Sequence, residues 1–447
     1  MQRAMERHEA GEARVIPIIL KPVDWNGAPF GKLQAFPTNA KPVTKWPNRD
    51  EAFTNIAQGI RQAAQEMAAR QQKLPNQPNN QPDSQPDIAA ASTSPPVTPS
   101  PIPPSSVELE EVGGQVPLES IFYVNRPPLE ERCFAALAKP GALVRIKAPR
   151  QMGKSSLMLR MMQSARERGE QAAVLNFQYA ERDCLANLDL FLQWFCLTLT
   201  DQLGLEERLA DYWKGSLGCK NKCTNYLQRY LLPEIKTAIA LCLDEVDEIF
   251  QHPAIATDFF GMLRAWHEEA KVKPIWQNLR LVIVHSKEVY IPLNINQSPF
   301  NVGVPIDLPL LTPSQVLDLA HRHSLAWTEA EVAELMAMVG GHPFLVRGAL
   351  LPISRSEMTL SQVLQVAPTE GWLFGEHLRR HLLNLEGDAK LLAAMQRVLA
   401  TDQPLLIDTT EAFKLMSMGV VRYVGNQVEP LCDVYRQYFR NRLGVSP

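Results

Sequence analysis

The residues best suited to chemistry are Ala148-Pro149-Arg150-Gln151-Met152-Gly153-Lys154-Ser155, set between an apolar run, Ala142 to Ile146, and a helical pattern from Leu157 to Arg168. A loop of this spacing between a strand and a helix aims successive backbone N–H groups and the positive end of the helix dipole at one volume. That volume suits a phosphate. Lys154 is expected to span the β- and γ-phosphates of a nucleotide, and Ser155, in the first helical turn, to ligate Mg²⁺. Gln151, Met152, Gly153 and Ser156 complete the cradle. The spacing is that of a P-loop, with Ala148 standing where the pattern begins with glycine, so the first backbone hinge is expected to be less free.

Mg²⁺ beside a triphosphate calls for a carboxylate across the cleft, at the end of an apolar strand. Ile239-Ala240-Leu241-Cys242-Leu243 runs into Asp244-Glu245. Asp244 is expected to hold Mg²⁺ through water, and Glu245 to polarise the attacking water. Asp247 and Glu248 are expected to be solvated or paired. A Gly-Lys-Ser tripeptide alone is common; the ordered strand, loop, helix and strand-end acid give it meaning.

The elements that must position these groups read as an α/β core. Ala142 to Ile146, Ala173 to Phe177, Ala238 to Leu243 and Leu279 to Val284 are near-continuous apolar runs, the pattern of parallel strands covered on both faces. Helical patterns over 185–203 and 224–232 alternate with them. From Pro313 the chain turns helical, and Thr410 to Met418 reads as a helix leading into a hairpin with Gly425-Asn426 at its turn. Helices followed by a small hairpin suggest a winged-helix module.

The chain has 447 residues and 45% apolar content, enough for two or three folding units with at least one large core. Lys plus Arg number 45 against 48 Asp plus Glu, so no global basic charge drives attachment to nucleic acid or anionic lipid. Apolar runs fall short of the roughly 18 residues needed to cross a bilayer, and Met1 to Glu12 is charged rather than signal-like. A cytoplasmic location without a membrane partner is expected. Seven scattered cysteines are expected to be reduced. Ten of the 35 prolines fall between Pro75 and Pro104 among Gln, Asn, Ser and Thr, a composition that builds no core and reads as a tether. Before it, Ala13 to Leu20 reads as a short buried strand, and Asn48 as the cap of a helix with Phe53, Ile56, Ile60 and Met67 along one stripe.

Several stretches outside the loop carry a family resemblance. Phe122-Tyr123-Val124-Asn125-Arg126-Pro127-Pro128 with Glu130 and Glu131, Val284-His285-Ser286, Gly341-His342-Pro343 and Leu431 to Phe439 together resemble the AAA-like ATPases, close to the STAND class of signalling ATPases. The resemblance implies that Arg126 borders the adenine, that Ser286 senses the γ-phosphate, that Pro343 packs near the base from a helical lid, and that Leu431 to Phe439 closes a winged helix. The plainer readings are a surface Arg126/Glu130 salt bridge, a strand-end cap at Ser286 and a helix-starting Pro343. Residues 1–70 resemble the carboxyl-terminal part of a TIR domain, through Glu12 to Ile18, Pro22 to Trp25, Pro29 to Gly31 and Trp46-Pro47. TIR domains can cleave NAD, but the family's active-site glutamate and glycine-containing loop precede the matched stretch. No TIR catalytic residue is carried over, and the domain is expected to be truncated or to begin upstream of Met1.

The expected organisation is therefore a TIR-like fragment at 1–70, a linker at 71–107, an ATPase core at 108–312, a helical lid at 313–385 and a winged-helix-like module at 386–447. The expected function is an ATP- and Mg²⁺-dependent signalling switch that self-associates on activation, answers to a signalling partner and controls the amino-terminal region. Two rivals are an ATP-dependent DNA-binding helper and, were the true start upstream, an NAD-cleaving enzyme. Arg436, Arg440 and Arg442 invite the DNA reading, which nearby Asp433 and the slightly negative charge oppose. Cys219 and Cys223 lack a second pair for zinc. His377 and His381, four apart on a helical pattern, are expected at the surface.

Overall fold

A computed structural model describes residues 14–19, 35–38, 41–46, 51–52, 55–62, 109–286 and 299–446. The chain divides into two compact units, Met1–Ser100 and Pro101–Pro447.

In the first unit Ile18 and Phe36 form a parallel bridge, and the Ile19 N–H donates to the Phe36 carbonyl at 2.8 Å. Residues 51–52 and 55–62 are helical. Ala52 and Ile56 pack with Val43 against Phe36 and Trp46. The expected strand is thus a single bridge among the described residues. Ile56 is buried as its stripe requires, whereas Ile60 is 43% exposed. Asn48, Phe53, Met67, Pro22 to Trp25, Pro29 to Gly31, Pro47 and the stretch 71–107 lie outside the described residues.

The second unit is built on five parallel strands: β1 (Leu143–Lys147), β2 (Gln171–Asn176), β3 (Ile239–Asp244), β4 (Leu279–His285) and β5 (Val304–Asp307). Their spatial order is β2-β3-β4-β1-β5, with Ile146 opposite Val284 and Leu243 opposite Ile283. β4 therefore separates the strand that feeds the loop from the strand that ends in Asp244. Along β3, Ile239, Leu241 and Leu243 join one core, while Ala240 and Cys242 join another. That period-two alternation explains the unbroken apolar run, because both faces are covered. Helix α1 (Leu129–Leu137) and helix α2 (Lys154–Glu167) cover one face through Cys133, Leu157, Met161 and Met162. Helix α3 (Leu188–Gln202) and helix α4 (Pro253–Glu269) cover the other through Phe191, Phe195, Phe259 and Trp266. Each such side chain stabilises the fold by roughly 1.5–3 kcal/mol of apolar burial before entropy is counted.

β5 has no counterpart among the strands expected from sequence. It is four residues long, contains Pro305, and among the described residues pairs only with β1. A proline removes a ladder donor and is tolerated at such an edge, which hides the strand from an apolar-run reading.

Beyond β5 the chain is mainly helical: α5 (Pro313–Arg322), α6 (Glu329–Val339), α7 (Pro343–Ser354), α8 (Leu360–Val366), α9 (Gly375–Glu386), α10 (Ala389–Leu399), α11 (Thr409–Met418) and α12 (Asp433–Leu443). Thr312 with Gln315, Thr328 with Glu331 and Thr359 with Gln362 form capping boxes that start α5, α6 and α8. Between α11 and α12 lies an antiparallel hairpin, β6 (Val421–Val424) and β7 (Gln427–Pro430), turning at Gly425-Asn426 with Gly425 at φ +62°. One core runs through these helices and hairpin, and takes in Phe122 and Val124 from the segment before α1. Among the described residues no helix is long and apolar enough to cross a membrane.

Candidate functional site

The loop between β1 and α2 is held by residues it cannot easily exchange. Gly153 caps α2 at φ +91°, in the left-handed region that glycine adopts without penalty. Gln151 sits there too, at φ +61°, although it carries a Cβ. Ala148 does not: it is absent from the positive-φ positions and its methyl is buried in the core under α2. Alanine at the first loop position therefore costs the backbone nothing.

Lys154 folds over the loop, its Nζ donating to the Ala148 and Pro149 carbonyls at 3.1 Å each and to Ser286 Oγ at 3.2 Å. Ser155 Oγ donates to Asp244 Oδ2 at 3.4 Å. Asp244 Oδ1 accepts the Glu245 N–H at 3.0 Å, and Glu245 takes φ +54°. Burial, reinforced by the Glu245 charge, raises the Asp244 carboxyl above its ordinary range. A serine hydroxyl and a carboxylate are hard oxygen donors of the kind Mg²⁺ takes.

Of the two alternatives expected for Asp247, solvated or paired, its burial removes the first. It is buried, its Oδ2 accepts the Ser286 N–H at 2.7 Å, and desolvation pushes its carboxyl up to about 7. Its Oδ1 is buried without a partner. Ser286 is thereby fixed between Asp247 and Lys154. His285 beside it is buried, and desolvation lowers it to about 4.

On the other side of the loop a cavity is lined by Phe122, Tyr123, Arg126, Gln151, Gly153, Ser156, Pro343, Phe344 and Arg347, among others. Arg126 Nη2 donates to the Met152 carbonyl at 3.0 Å. Its N–H donates to Glu130 Oε2 at 2.9 Å, and Tyr123 O–H donates to Glu130 Oε1 at 3.0 Å. Arg126 and Glu130 are both buried, so they are not a surface ion pair. Ser156 Oγ accepts the Val116 N–H at 2.9 Å, which ties the segment before Phe122 to the loop helix. Of the residues expected at the site from sequence, Ala148 to Ser156 form the loop and the first turn of α2, Arg126, Asp244 and Ser286 hydrogen-bond to it, Pro343 lines the cavity beside it, and Glu245 follows Asp244.

Sequence reasoning passed over several neighbours. Gln115 Nε2 donates to the Ser155 carbonyl at 2.6 Å, and the Arg160 guanidinium stacks 3.4 Å from the Tyr123 ring centre. Gly113-Gly114, which line the cavity, were the available signal for this close approach. Arg347 follows Pro343 by four residues on α7 and so shares its face; it is buried with Nε unpartnered. The largest departure is at His377 and His381, which are 1% and 2% exposed rather than at the surface. His342 is equally buried, and the His342–His377 and His377–His381 ring centres are 5.4 and 4.6 Å apart.

With this geometry in hand, comparison with known proteins gives the class. Residues 111–441 match the family model of the AAA-like domain. The chain belongs to that family. A Walker-type ATPase of Pyrococcus abyssi shares the fold, with a TM-score of 0.51 and 14% identity over 74% of this chain and 99% of that one. The fold is thus the α/β parallel sheet of P-loop ATPases with a helical region after it. An uncharacterized protein of Sinorhizobium fredii is 48% identical over 101 residues, which are 23% of this chain and 28% of that protein. An uncharacterized WD repeat-containing protein of Synechocystis is 23% identical over 358 residues, 74% of this chain and 30% of that protein. The chain spans under a third of the length of these curated relatives.

Proposed function

We propose that the chain is an ATP-binding, slowly hydrolysing switch of the STAND signalling type, which works in the cytoplasm and controls an amino-terminal TIR-type region. The observation that carries this reading is the meeting of Ser155 with Asp244, with Lys154 drawn across the same loop. The backbone N–H groups of Arg150 to Gly153 and the α2 N-terminus would hold the phosphates and Lys154 would neutralise them; Ser155 and Asp244 would hold Mg²⁺, which would supply charge compensation when bound. Glu245 orients and deprotonates the attacking water, and Ser286, fixed by Asp247, reports the γ-phosphate. Arg126 and Pro343 border the adenine in the cavity with Phe122 and Phe344.

The segments assigned to this switch are a TIR-like fragment at 1–70, a linker at 71–107, the core at 108–312, the lid at 313–385 and a winged-helix-like module at 386–447. The helix, hairpin and closing helix of 409–443 support the last assignment. The nucleotide must contact the open and closed arrangements differently, or its binding would shift nothing. Self-association with ATP and Mg²⁺ then brings amino-terminal regions together at raised local concentration. The DNA-binding reading gains no support from Arg436 and Arg440, which both pair with Asp402, or from Arg442, which pairs with Glu370.

Phosphate release from ATP in the presence of Mg²⁺, with light scattering on the same sample, tests the reading. Slow release and a nucleotide-dependent rise in mass are expected; no release together with an unchanged mass would contradict it.

A further inference from the structure

The loop residue under most backbone strain is gripped from the far end of the chain. Gln151, at φ +61°, holds a left-handed conformation that a residue with a Cβ keeps only when its surroundings impose it, at a cost of about 1–3 kcal/mol. Its side chain provides the imposition. Gln151 Oε1 lies 2.5 Å from His377 Nδ1 and 3.5 Å from Arg380 Nη2. His377 Nε2 in turn lies 2.7 Å from Tyr435 O–H.

The chemistry of these partners fixes the direction of each bond. Arg380 can only donate, so the amide oxygen of Gln151 faces it and His377. His377 Nδ1 must therefore carry the proton. A neutral imidazole has one N–H, which leaves Nε2 to accept from Tyr435. The ring is kept neutral chiefly by burial, with the Arg380 charge on its own helix opposing a second proton; His381 on that helix and His342 in the turn before α7 are themselves held neutral by burial and would oppose one another's protonation, and Gln151 and Tyr435 supply only neutral groups. The relay runs Tyr435 O–H to His377 to Gln151, from α12 through α9 to the loop, and both ring-bearing residues are 1% exposed.

We infer that His377 and Tyr435 are positioning residues for the phosphate cradle: docking of α9 and α12 holds Gln151 in the conformation that accepts nucleotide, so nucleotide affinity and docking of the carboxyl-terminal helices are one linked equilibrium. The inference rests on the nucleotide reading above and adds to it the residues through which nucleotide and the carboxyl-terminal helices sense each other. Linkage is reciprocal: whatever undocks α12 weakens nucleotide, and nucleotide strengthens the docking by the same factor.

A double-mutant cycle on ATP affinity, measured by calorimetry with Mg²⁺ on the full chain, tests it. Tyr435→Phe keeps the ring and removes only the donor. It is expected to weaken ATP by about two- to tenfold, the worth of one buried hydrogen bond, and to have no effect when Gln151→Ala is already present. His377→Phe should behave the same way. A merely structural role for Tyr435 would give the same fold-change in both backgrounds. Equal fold-changes, or none in either, would overturn the inference while wild-type binding of ATP leaves the nucleotide reading intact. A wild-type chain that binds no ATP would remove the nucleotide reading and this inference with it.

Discussion

Ser155 and Asp244, 89 positions apart in the chain, meet with Oγ and Oδ2 3.4 Å from one another. The contact joins the first turn of α2 to the end of β3 although β4 lies between the strands that lead to them. Ser155→Ala and Asp244→Asn should each reduce the Mg²⁺ dependence of ATP affinity, by about tenfold or more, while leaving metal-free binding little changed. Titrations with and without Mg²⁺ read this directly; equal loss in both conditions would place these residues outside the metal site.

Glu245 follows Asp244 at a left-handed backbone angle, φ +54°, that turns the chain sharply at the strand end. As general base it should be worth about 10²–10⁴ in rate. Glu245→Gln is expected to bind ATP as the wild type does and to lose phosphate release on that scale. Unchanged turnover would reassign the base, with Asp247 the next carboxylate in the cleft.

Desolvation lowers His285, His323 and His342 to about 4 and His381 to about 3. In the unfolded chain these groups titrate near 6.5, so between that pH and about 4 the unfolded state binds more protons. Stability is therefore full above 6.5 and falls as the solution is acidified through this window. Each histidine withdraws up to roughly 1.4 kcal/mol per pH unit. Asp247, raised to about 7, and Asp244, also raised, work in the opposite direction, but they are two groups against five once His377, lowered too, is included. Urea unfolding midpoints at pH 7, 5.5 and 4.5 should fall steeply; a flat series would show that the histidines are solvated.

Gly341 stands at φ +75°, and an added Cβ would run into the carbonyl oxygen of Leu311. The Leu311 N–H in turn donates to the Gly341 carbonyl at 2.9 Å, so the two backbones cannot part cheaply. Gly341→Ala should destabilise by on the order of 2 kcal/mol, a loss of several degrees in thermal midpoint. A midpoint equal to wild type would mean that this turn is free to relax.

How much of this was legible depends on whether the signal was local. Strands β1 to β4 showed as apolar runs because both faces of the sheet are covered, and the hairpin turn at Gly425-Asn426 is a matter of adjacent residues. The loop and its strand-end acids were legible because backbone geometry dictates their spacing. β5 was hidden by Pro305, and the burial of His377 could not be read from its helix. Its partners Gln151 and Tyr435 lie 226 and 58 positions away, and only the packed fold brings them to the ring. Asp247 reads as one more surface acid until the Ser286 N–H is seen to claim it.

In the proposed switch a nucleoside triphosphate and a divalent ion bind at Lys154, Ser155 and Asp244. Calorimetric titration of the chain with ATP and Mg²⁺, in parallel with Lys154→Ala, tests that claim most directly. A saturable heat near one equivalent that vanishes in Lys154→Ala is the expected result. No heat with the wild-type chain, or an equal heat with Lys154→Ala, would contradict it.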